Sequence, residues 1–232
     1  AQRFIHILTS YTQFGVLYEV DLRLRPGGNK GPLVSTLRAF ERYQLEEAWT
    51  WEHQALVRTR YVAGTENLQE PFQRIREKIL LKKRNAPALR EAVVSMRNKM
   101  RAHLTKAISD NFKADAESEF ESVQLERIFG VSVSEFDLKH DVGAIVDIEF
   151  LIQYEMLKSA NEHPTLIRWT DVIRQLEDFA EQQIVSKQEK ELLQQAYLSY
   201  RAAVHYQWLG GQIGSFKKLN EYRQQVMKVW QD

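Results

Sequence analysis

Cysteine is absent from the 232 residues of this chain. Its absence excludes disulfides, thiol catalysis and cysteine-based zinc sites, and it is compatible with the cytoplasmic location that we expect. Glycine and proline are also scarce, with 10 and 5 residues, which is roughly half of their usual share. A chain with so few turn-forming residues is expected to build long helices.

Long apolar runs and an excess of one charge are missing as well. No run approaches the ~18 residues that would span a membrane, and the N-terminal residues lack the layout of a signal peptide. Lysine and arginine number 32, against 31 aspartates and glutamates. This balance gives no support for a binder of nucleic acid or of membrane surfaces, and we expect neither partner. The six histidines show no metal-ligand spacing, and no nucleophile-elbow motif occurs.

Alternating polar and apolar residues over 16–24 predict a half-buried β-strand. Its polar face carries four charged residues, Glu19, Asp21, Arg23 and Arg25. A carboxylate beside guanidiniums suits metal-assisted phosphoryl chemistry, because aspartate binds Mg²⁺ and arginine holds phosphate oxygens. The alternative is a solvated strand face with cross-strand ion pairs, and the pattern alone favours that alternative.

Apolar spacing typical of helices covers most of the remaining chain. The predicted helices are 2–11, 36–49, 50–62, 67–84, 87–108, 147–163, 170–183, 186–208 and 216–230. Thr36 or Ser35 is expected to cap the second, and Ser186 forms a capping-box pair with Glu189. Residues 107–134 are the least regular, with a short helix near 123–129. Two short strands, 136–139 and 144–146, are predicted to form a hairpin.

Two charged groups have competing interpretations. Asp147 and Glu149 would share a face and could hold a metal on a strand, but on a helix they lie about 200° apart. We interpret Asp147 as a helix N-cap and Glu149 as a first-turn acid. Residues 74–106 carry eleven lysines and arginines against two glutamates. This run could bind nucleotide, nucleic acid or an acidic partner, although a solvated helix face is the favoured interpretation.

Several segments together carry a more specific resemblance. They are Tyr18-Glu-Val-Asp-Leu-Arg-Leu-Arg-Pro26 with Gly31-Pro-Leu-Val34, Glu47-Ala-Trp-Thr-Trp-Glu-His-Gln-Ala-Leu-Val-Arg-Thr-Arg60, Met96-Arg-Asn-Lys-Met-Arg-Ala-His-Leu104, Phe136-Asp-Leu-Lys-His-Asp-Val-Gly-Ala-Ile-Val-Asp-Ile-Glu-Phe150 and Arg168-Trp-Thr-Asp171. They follow one another in this order along most of the chain, from residue 18 to residue 171. They resemble the glutamine synthetase adenylyltransferase family, also called glutamate–ammonia-ligase adenylyltransferase.

The resemblance implies a long bifunctional enzyme with two homologous nucleotidyltransferase halves. One half removes AMP from glutamine synthetase by phosphorolysis, and the other transfers AMP from ATP to a tyrosine of glutamine synthetase. The first two segments resemble the adenylylating half more closely. The implied fold is α+β and predominantly helical, with a truncated polymerase-β-like head in residues 1–65. A helical domain with a short β-hairpin near 136–146 is implied for residues 66–232.

The resemblance also implies the site residues and partners. Asp21 matches the third of three metal-binding carboxylates and is therefore the expected catalytic and Mg²⁺-binding residue. The other two belong to a G-S…D-x-D motif that this sequence lacks, so we expect the chain to begin after that motif and to be inactive alone. The weaker candidates for ATP contact are Arg23, Arg25, Arg58, Arg60 and Lys139. Glutamine synthetase and a PII-type signalling protein are the implied partners.

Two other functions stay open at this point. The chain could belong to the AMP-removing half, which acts on the same bond and releases ADP. Alternatively, it could be a helical interaction module without chemistry, in which the basic helix 87–108 provides the binding face.

Overall fold

The computed structural model describes residues 1–15, 20–22, 25–28, 31–114, 137–213 and 215–230, with only the helical backbone for 104–114. The chain divides into an N-terminal unit, Ala1–Lys82, and a C-terminal unit, Lys83–Asp232. Helices dominate the described residues of both units, which confirms a predominantly helical fold. No helix in these ranges combines the length and apolar character that crossing a bilayer requires.

The described helices of the N-terminal unit are α1 (Gln2–Thr9), α2 (Leu37–Glu46), α3 (Thr50–Val57) and α4 (Gln69–Leu80), with a 3₁₀ turn at Glu66–Leu68. Thr36 caps α2 as expected, because its side chain accepts the Ala39 N–H at 3.2 Å. Helix α4 packs against α2 and α3. Val57 and Leu80 are fully buried in the resulting core.

A buried arginine closes the end of α3. Arg76 of α4 is only 2% exposed, and it donates to the carbonyls of Leu56 at 3.2 Å and Val57 at 2.8 Å. A helix end leaves carbonyls without intrahelical donors, and Arg76 supplies donors there. Burial lowers the pKa of Arg76 to about 10, so the guanidinium remains charged at neutral pH.

The described helices of the C-terminal unit are α5 (Ala86–Ala114), α6 (Ile145–Ser159), α7 (Val172–Glu181), α8 (Lys187–Trp208) and α9 (Lys217–Val229). Helix α6 is central, since it packs against α5, α7 and α8. Its inner residues Ile148, Met156 and Leu157 are fully buried. The capping box at Ser186 is confirmed, with the Ser186 N–H donating to Glu189 at 2.7 Å and the Glu189 N–H to the Ser186 hydroxyl at 3.1 Å.

The predicted hairpin near 136–146 is wrong for the residues that the structure describes. Residues 137–144 form turns, and α6 starts at Ile145. The Asp137 carboxylate bends the chain by accepting the N–H of Lys139 at 2.8 Å and of His140 at 3.1 Å. Residues 144–146 are apolar because they enter a largely buried helix, which a short apolar run does not distinguish from a strand.

The other predicted β-strand falls largely outside the described residues. Residues 16–19, 23 and 24 are not described, and residues 20–22 carry no strand pairing. The described residues show one isolated antiparallel bridge, between Thr12 and Gly15. The polymerase-β-like head and the division into 1–65 and 66–232 stay predictions. Residues 107–114, expected to be irregular, continue α5 instead, whereas the helix predicted near 123–129 lies outside the described residues.

Replacing Arg76 with methionine should destabilise the N-terminal unit. The substitution removes the Arg76 donors from the carbonyls of Leu56 and Val57, and among the described residues only Leu56 keeps another one, the Thr59 N–H at 3.2 Å. Loss of the donor to Val57 costs about 1–3 kcal/mol. Its control is Arg74→Met on the same helix, where the exposed pair with Glu70 at 3.4 Å is worth about 0–1 kcal/mol. Urea unfolding measures both. Equal losses of unfolding free energy in the two variants would contradict the role given to Arg76.

Candidate functional site

Asp21, the expected catalytic residue, is exposed in the N-terminal unit. The next described residue, Leu22, is tied to the following loop because Arg25 Nη1 donates to its carbonyl at 2.6 Å. Arg25 Nε also donates to the Gly31 carbonyl at 3.3 Å. The half-buried Arg25 therefore fixes the backbone beside Asp21 relative to the glycine-rich loop.

The loop at residues 25–31 closes on itself through its backbone. The Gly28 N–H donates to the Arg25 carbonyl at 2.8 Å, and the Gly31 N–H reaches the carbonyls of Gly27 and Gly28 at 3.1 Å. Gly27 and Gly28 have φ angles of 76° and 55°, which glycine adopts without strain. A Cβ on Gly31 would collide with the Pro26 carbonyl oxygen. The glycines are therefore required by the shape of the loop itself.

A hydrogen-bonded pair, the half-buried Tyr43 and the buried Glu52, connects α2 to α3. The Tyr43 hydroxyl donates to the two Glu52 carboxylate oxygens at 2.9 and 3.1 Å. Glu52, 7% exposed, also accepts the Trp49 N–H at 2.9 Å. Burial raises the pKa of Tyr43, and Glu52 raises it further, whereas a hydrogen bond from the Gly27 backbone lowers it. Tyr43 thus connects the glycine-rich loop to Glu52.

The remaining site candidates have different surroundings. Arg58 follows the last residue of α3 and is exposed, as is Arg60. Both lie in the N-terminal unit with Asp21 and Arg25. Lys139 is exposed in a turn of the C-terminal unit. Arg23 lies outside the described residues.

The described residues supply only part of a metal site. Among them, no three His, Asp or Glu side chains are grouped so that they could hold a metal ion. The exposed carboxylate of Asp21 fits the role of a single hard oxygen ligand for Mg²⁺. One ligand does not hold the ion by itself, so no reaction step through a metal is derived from these residues.

A second charged cluster is buried in the C-terminal unit around Asp147, which is 2% exposed. Its carboxylate accepts Arg97 Nε at 2.5 Å and Arg101 Nη2 at 2.6 Å on both oxygens. The Gly143 N–H adds a bond of 2.7 Å. Ala144, not Asp147, is the N-cap of α6, so the N-cap interpretation is wrong. Asp147 lies in the first helical turn, where a negative charge is favourable.

We call Asp147, Arg97 and Arg101 the Asp147 cluster. Arg97 is its most buried arginine. Its side chain is 3% exposed and donates through Nη2 to the His140 carbonyl at 2.6 Å. Its Nη1 atom is buried without a hydrogen-bond partner among the described residues. Burial lowers the pKa of Arg97, although the pairing with Asp147 opposes this shift. Burial also lowers the pKa of His140.

The sequence interpretation missed these ion pairs. The interpretation of residues 74–106 as a solvated basic face is wrong for Arg97 and for Arg76, because both side chains are buried. The available signal was the four-residue spacing of Leu89, Val93 and Arg97, which places Arg97 on the helix face of two buried apolar residues. The same spacing continues to Arg101.

Comparisons with known proteins bear on both units. Residues 1–75 match the family model of glutamate-ammonia ligase adenylyltransferase. Residues 116–207 match a second model, that of GlnD PII-uridylyltransferase.

Curated relatives extend this similarity along the whole chain. The chain is 44% identical over 234 residues to the bifunctional glutamine synthetase adenylyltransferase/adenylyl-removing enzyme of Pseudomonas aeruginosa. Enzymes of the same name from Pseudomonas syringae pv. tomato and Hahella chejuensis are 44% and 42% identical over 232 and 233 residues. The matches cover 99–100% of the chain but only 22% of each relative. The resemblance found in the sequence is confirmed.

Asp147→Asn should destabilise the C-terminal unit strongly. The substitution removes the charge that balances two guanidiniums, one of them fully buried, and breaking a buried pair costs about 3–5 kcal/mol. The matched control is Glu149→Gln, because Glu149 is only half-buried and bonds to the Tyr197 hydroxyl at 3.2 Å. Urea unfolding should show a clearly smaller loss for the control. Similar losses would show that Asp147 has no special structural role.

Acidification should destabilise the C-terminal unit partly through His140. Because burial holds the pKa of His140 below its ordinary value of 6.5, the unfolded chain takes up a proton there first. The free energy of unfolding then decreases as pH falls through about 6.5. His140→Gln should show a shallower decrease between about pH 7 and 5 in urea unfolding. An unchanged slope would contradict this role. Asp137 and Asp141 raise the pKa, whereas Lys139 and Arg97 lower it.

Proposed function

We propose that this chain, which belongs to the glutamine synthetase adenylyltransferase family, carries part of the adenylylating active site. The chain would also contain the helical region that follows this part of the active site. In the complete enzyme, this half would transfer AMP from ATP to a tyrosine of glutamine synthetase. The proposal rests on the amino-acid sequence of segments 18–26 and 47–60. It also rests on the family match over residues 1–75. It includes Mg²⁺ and ATP as cofactors and a cytoplasmic location.

The observation that carries the catalytic role is the setting of Asp21. The carboxylate is exposed, while the adjacent Leu22 carbonyl is held by the Arg25 guanidinium at 2.6 Å. A fixed backbone beside an exposed acid suits a ligand that must keep its position. Bound Mg²⁺ would offset negative charge on the phosphates, and Asp21 would supply one of its oxygen ligands.

The arginines near Asp21 divide into different proposed roles. Arg25 bonds to two backbone carbonyls, so we assign it the positioning of the glycine-rich loop in addition to any contact with ATP. Arg60 is exposed and is proposed to contact phosphate oxygens. Arg23, Arg58 and Lys139 stay proposed ATP contacts on the basis of their matched segments.

A second candidate function and a proposed partner follow from specific observations. The relatives are named for both adenylyl transfer and adenylyl removal, so the AMP-removing half is the second candidate for this chain. The model matched by residues 116–207 is that of a PII-uridylyltransferase. A PII-type signalling protein is therefore retained as a proposed partner beside glutamine synthetase.

Asp21→Asn in the complete enzyme tests both the metal-binding role of Asp21 and the assignment of this chain to the adenylylating half. A neutral amide oxygen is a weaker ligand for a hard cation, so incorporation of radiolabelled AMP into glutamine synthetase should fall about 100-fold or more. The melting temperature should hardly change, because the side chain is exposed. The complete enzyme is required, since we expect this chain alone, without the D-x-D pair, to transfer no AMP.

The control and the second assay separate the outcomes. Glu66→Gln, at an exposed acid of the same unit, should leave both activities unchanged. Loss of AMP transfer with intact phosphate-dependent AMP removal supports the adenylylating half. The reverse pattern assigns the chain to the AMP-removing half. Retention of both activities would exclude Asp21 as a metal ligand.

A further inference from the structure

A pocket of about 230 Å³ lies in the C-terminal unit beside the Asp147 cluster. Arg97, Asn98 and Arg101 of α5 line one side of it, next to Asp147. Met227 and Trp230, in α9 and directly after it, line the other side. The pocket therefore combines guanidiniums and an amide with an apolar wall, which is the composition of a small-ligand site.

The charges in the pocket favour an anion. Among the described residues that line the pocket, Arg97 and Arg101 are positive and Asp147 is negative, so these three side chains sum to a charge of +1. Both Asp147 oxygens already accept hydrogen bonds from arginine, and one also accepts the Gly143 N–H. A cation would have to displace an arginine from this carboxylate, whereas an anion is attracted by the positive lining without displacing these bonds.

Donor capacity beyond Asp147 is present in the same cluster. Arg97 Nη1 is buried without a hydrogen-bond partner among the described residues, which is costly for a charged group. The Arg101 side chain is 27% exposed and lines the pocket. The exposed Asn98 lies one helical turn before it and adds an amide.

The opposite wall is held in a defined position. The Trp230 indole N–H donates to the Asp147 carbonyl at 3.1 Å, and its own carbonyl accepts Arg90 Nη2 at 3.0 Å. These two hydrogen bonds fix Trp230 beside the Asp147 cluster. Its ring and the Met227 thioether reduce the access of water to any ligand in the pocket, which strengthens electrostatic contacts there.

We propose that this pocket binds an oxyanion, a phosphate or carboxylate group of a small molecule, between Arg97, Arg101 and Asn98 under Trp230. The guanidiniums supply charge-assisted hydrogen bonds, and the indole covers the ligand on the α9 side. The site is independent of the role proposed for Asp21, because each of its residues belongs to the C-terminal unit. The competing explanation is that Asp147 alone serves as counterion and that a water completes Arg97.

Titration calorimetry of the protein with sodium phosphate and with sodium acetate, at constant ionic strength, tests the proposal. Saturable binding of either anion is expected, and the preferred one identifies the chemistry of the group. Arg101→Gln should weaken that binding by about tenfold, the equivalent of about 1.4 kcal/mol for a lost charged hydrogen bond. Absence of saturable binding of both anions at millimolar concentration would overturn the proposal.

Two matched variants keep the result specific. Lys99→Gln removes the same charge from an exposed neighbour on α5 that does not line the pocket, and it should leave the affinity unchanged. Asn98→Ala removes a pocket amide without touching the bonds of Asp147, so it tests the site even if Arg101→Gln unfolds. Equal weakening by Lys99→Gln and Arg101→Gln, or no effect of Asn98→Ala, would contradict a built site.

Discussion

The buried carboxylate of Asp147 constrains more of the C-terminal unit than any other group described above. Taking a carboxylate out of water costs several kcal/mol, and the cost is recovered only with well-placed donors. Those donors come from α5, through Arg97 and Arg101, and from the turn before α6, through Gly143. The Asp147 backbone carbonyl also accepts the Trp230 indole N–H at 3.1 Å. One residue therefore fixes where α5, the start of α6 and the end of α9 meet.

The N-terminal unit solves a related problem with different residues. Short helices leave many backbone groups at their ends, and α2 and α3 are only 10 and 8 residues long. Arg76 supplies donors to the end of α3, and Glu52 accepts the Trp49 N–H at its start. Tyr43 joins Glu52 to the glycine-rich loop. Buried charged groups at helix ends thus hold the elements on which Asp21 and its loop depend.

Local signals explain which parts of the fold could be predicted from the sequence. Thr36 and Ser186 marked helix starts correctly because a cap bonds within three residues of itself. The turn before α6 was mistaken for a hairpin, since a short apolar run fits a strand and a buried helix equally well. The pairing of Arg97 with Asp147 spans 50 positions, so the local spacing that places Arg97 on the buried face of α5 does not identify its partner. Asp21 was selected through motif resemblance, and its exposure is what the structure adds.

The two aspartates differ in what chemistry remains open to them. Asp147 lies in the D-x-E motif of α6, yet its oxygens are occupied by arginine and by a backbone N–H. A metal ion at Asp147 would have to remove a guanidinium and leave it buried without its charge partner, which is a costly exchange. Asp21 is exposed beside a fixed backbone segment and pays no such desolvation cost. We therefore keep the proposal of metal binding for Asp21, whereas Asp147 of the D-x-E motif maintains the structure beside the pocket for which we propose anion binding.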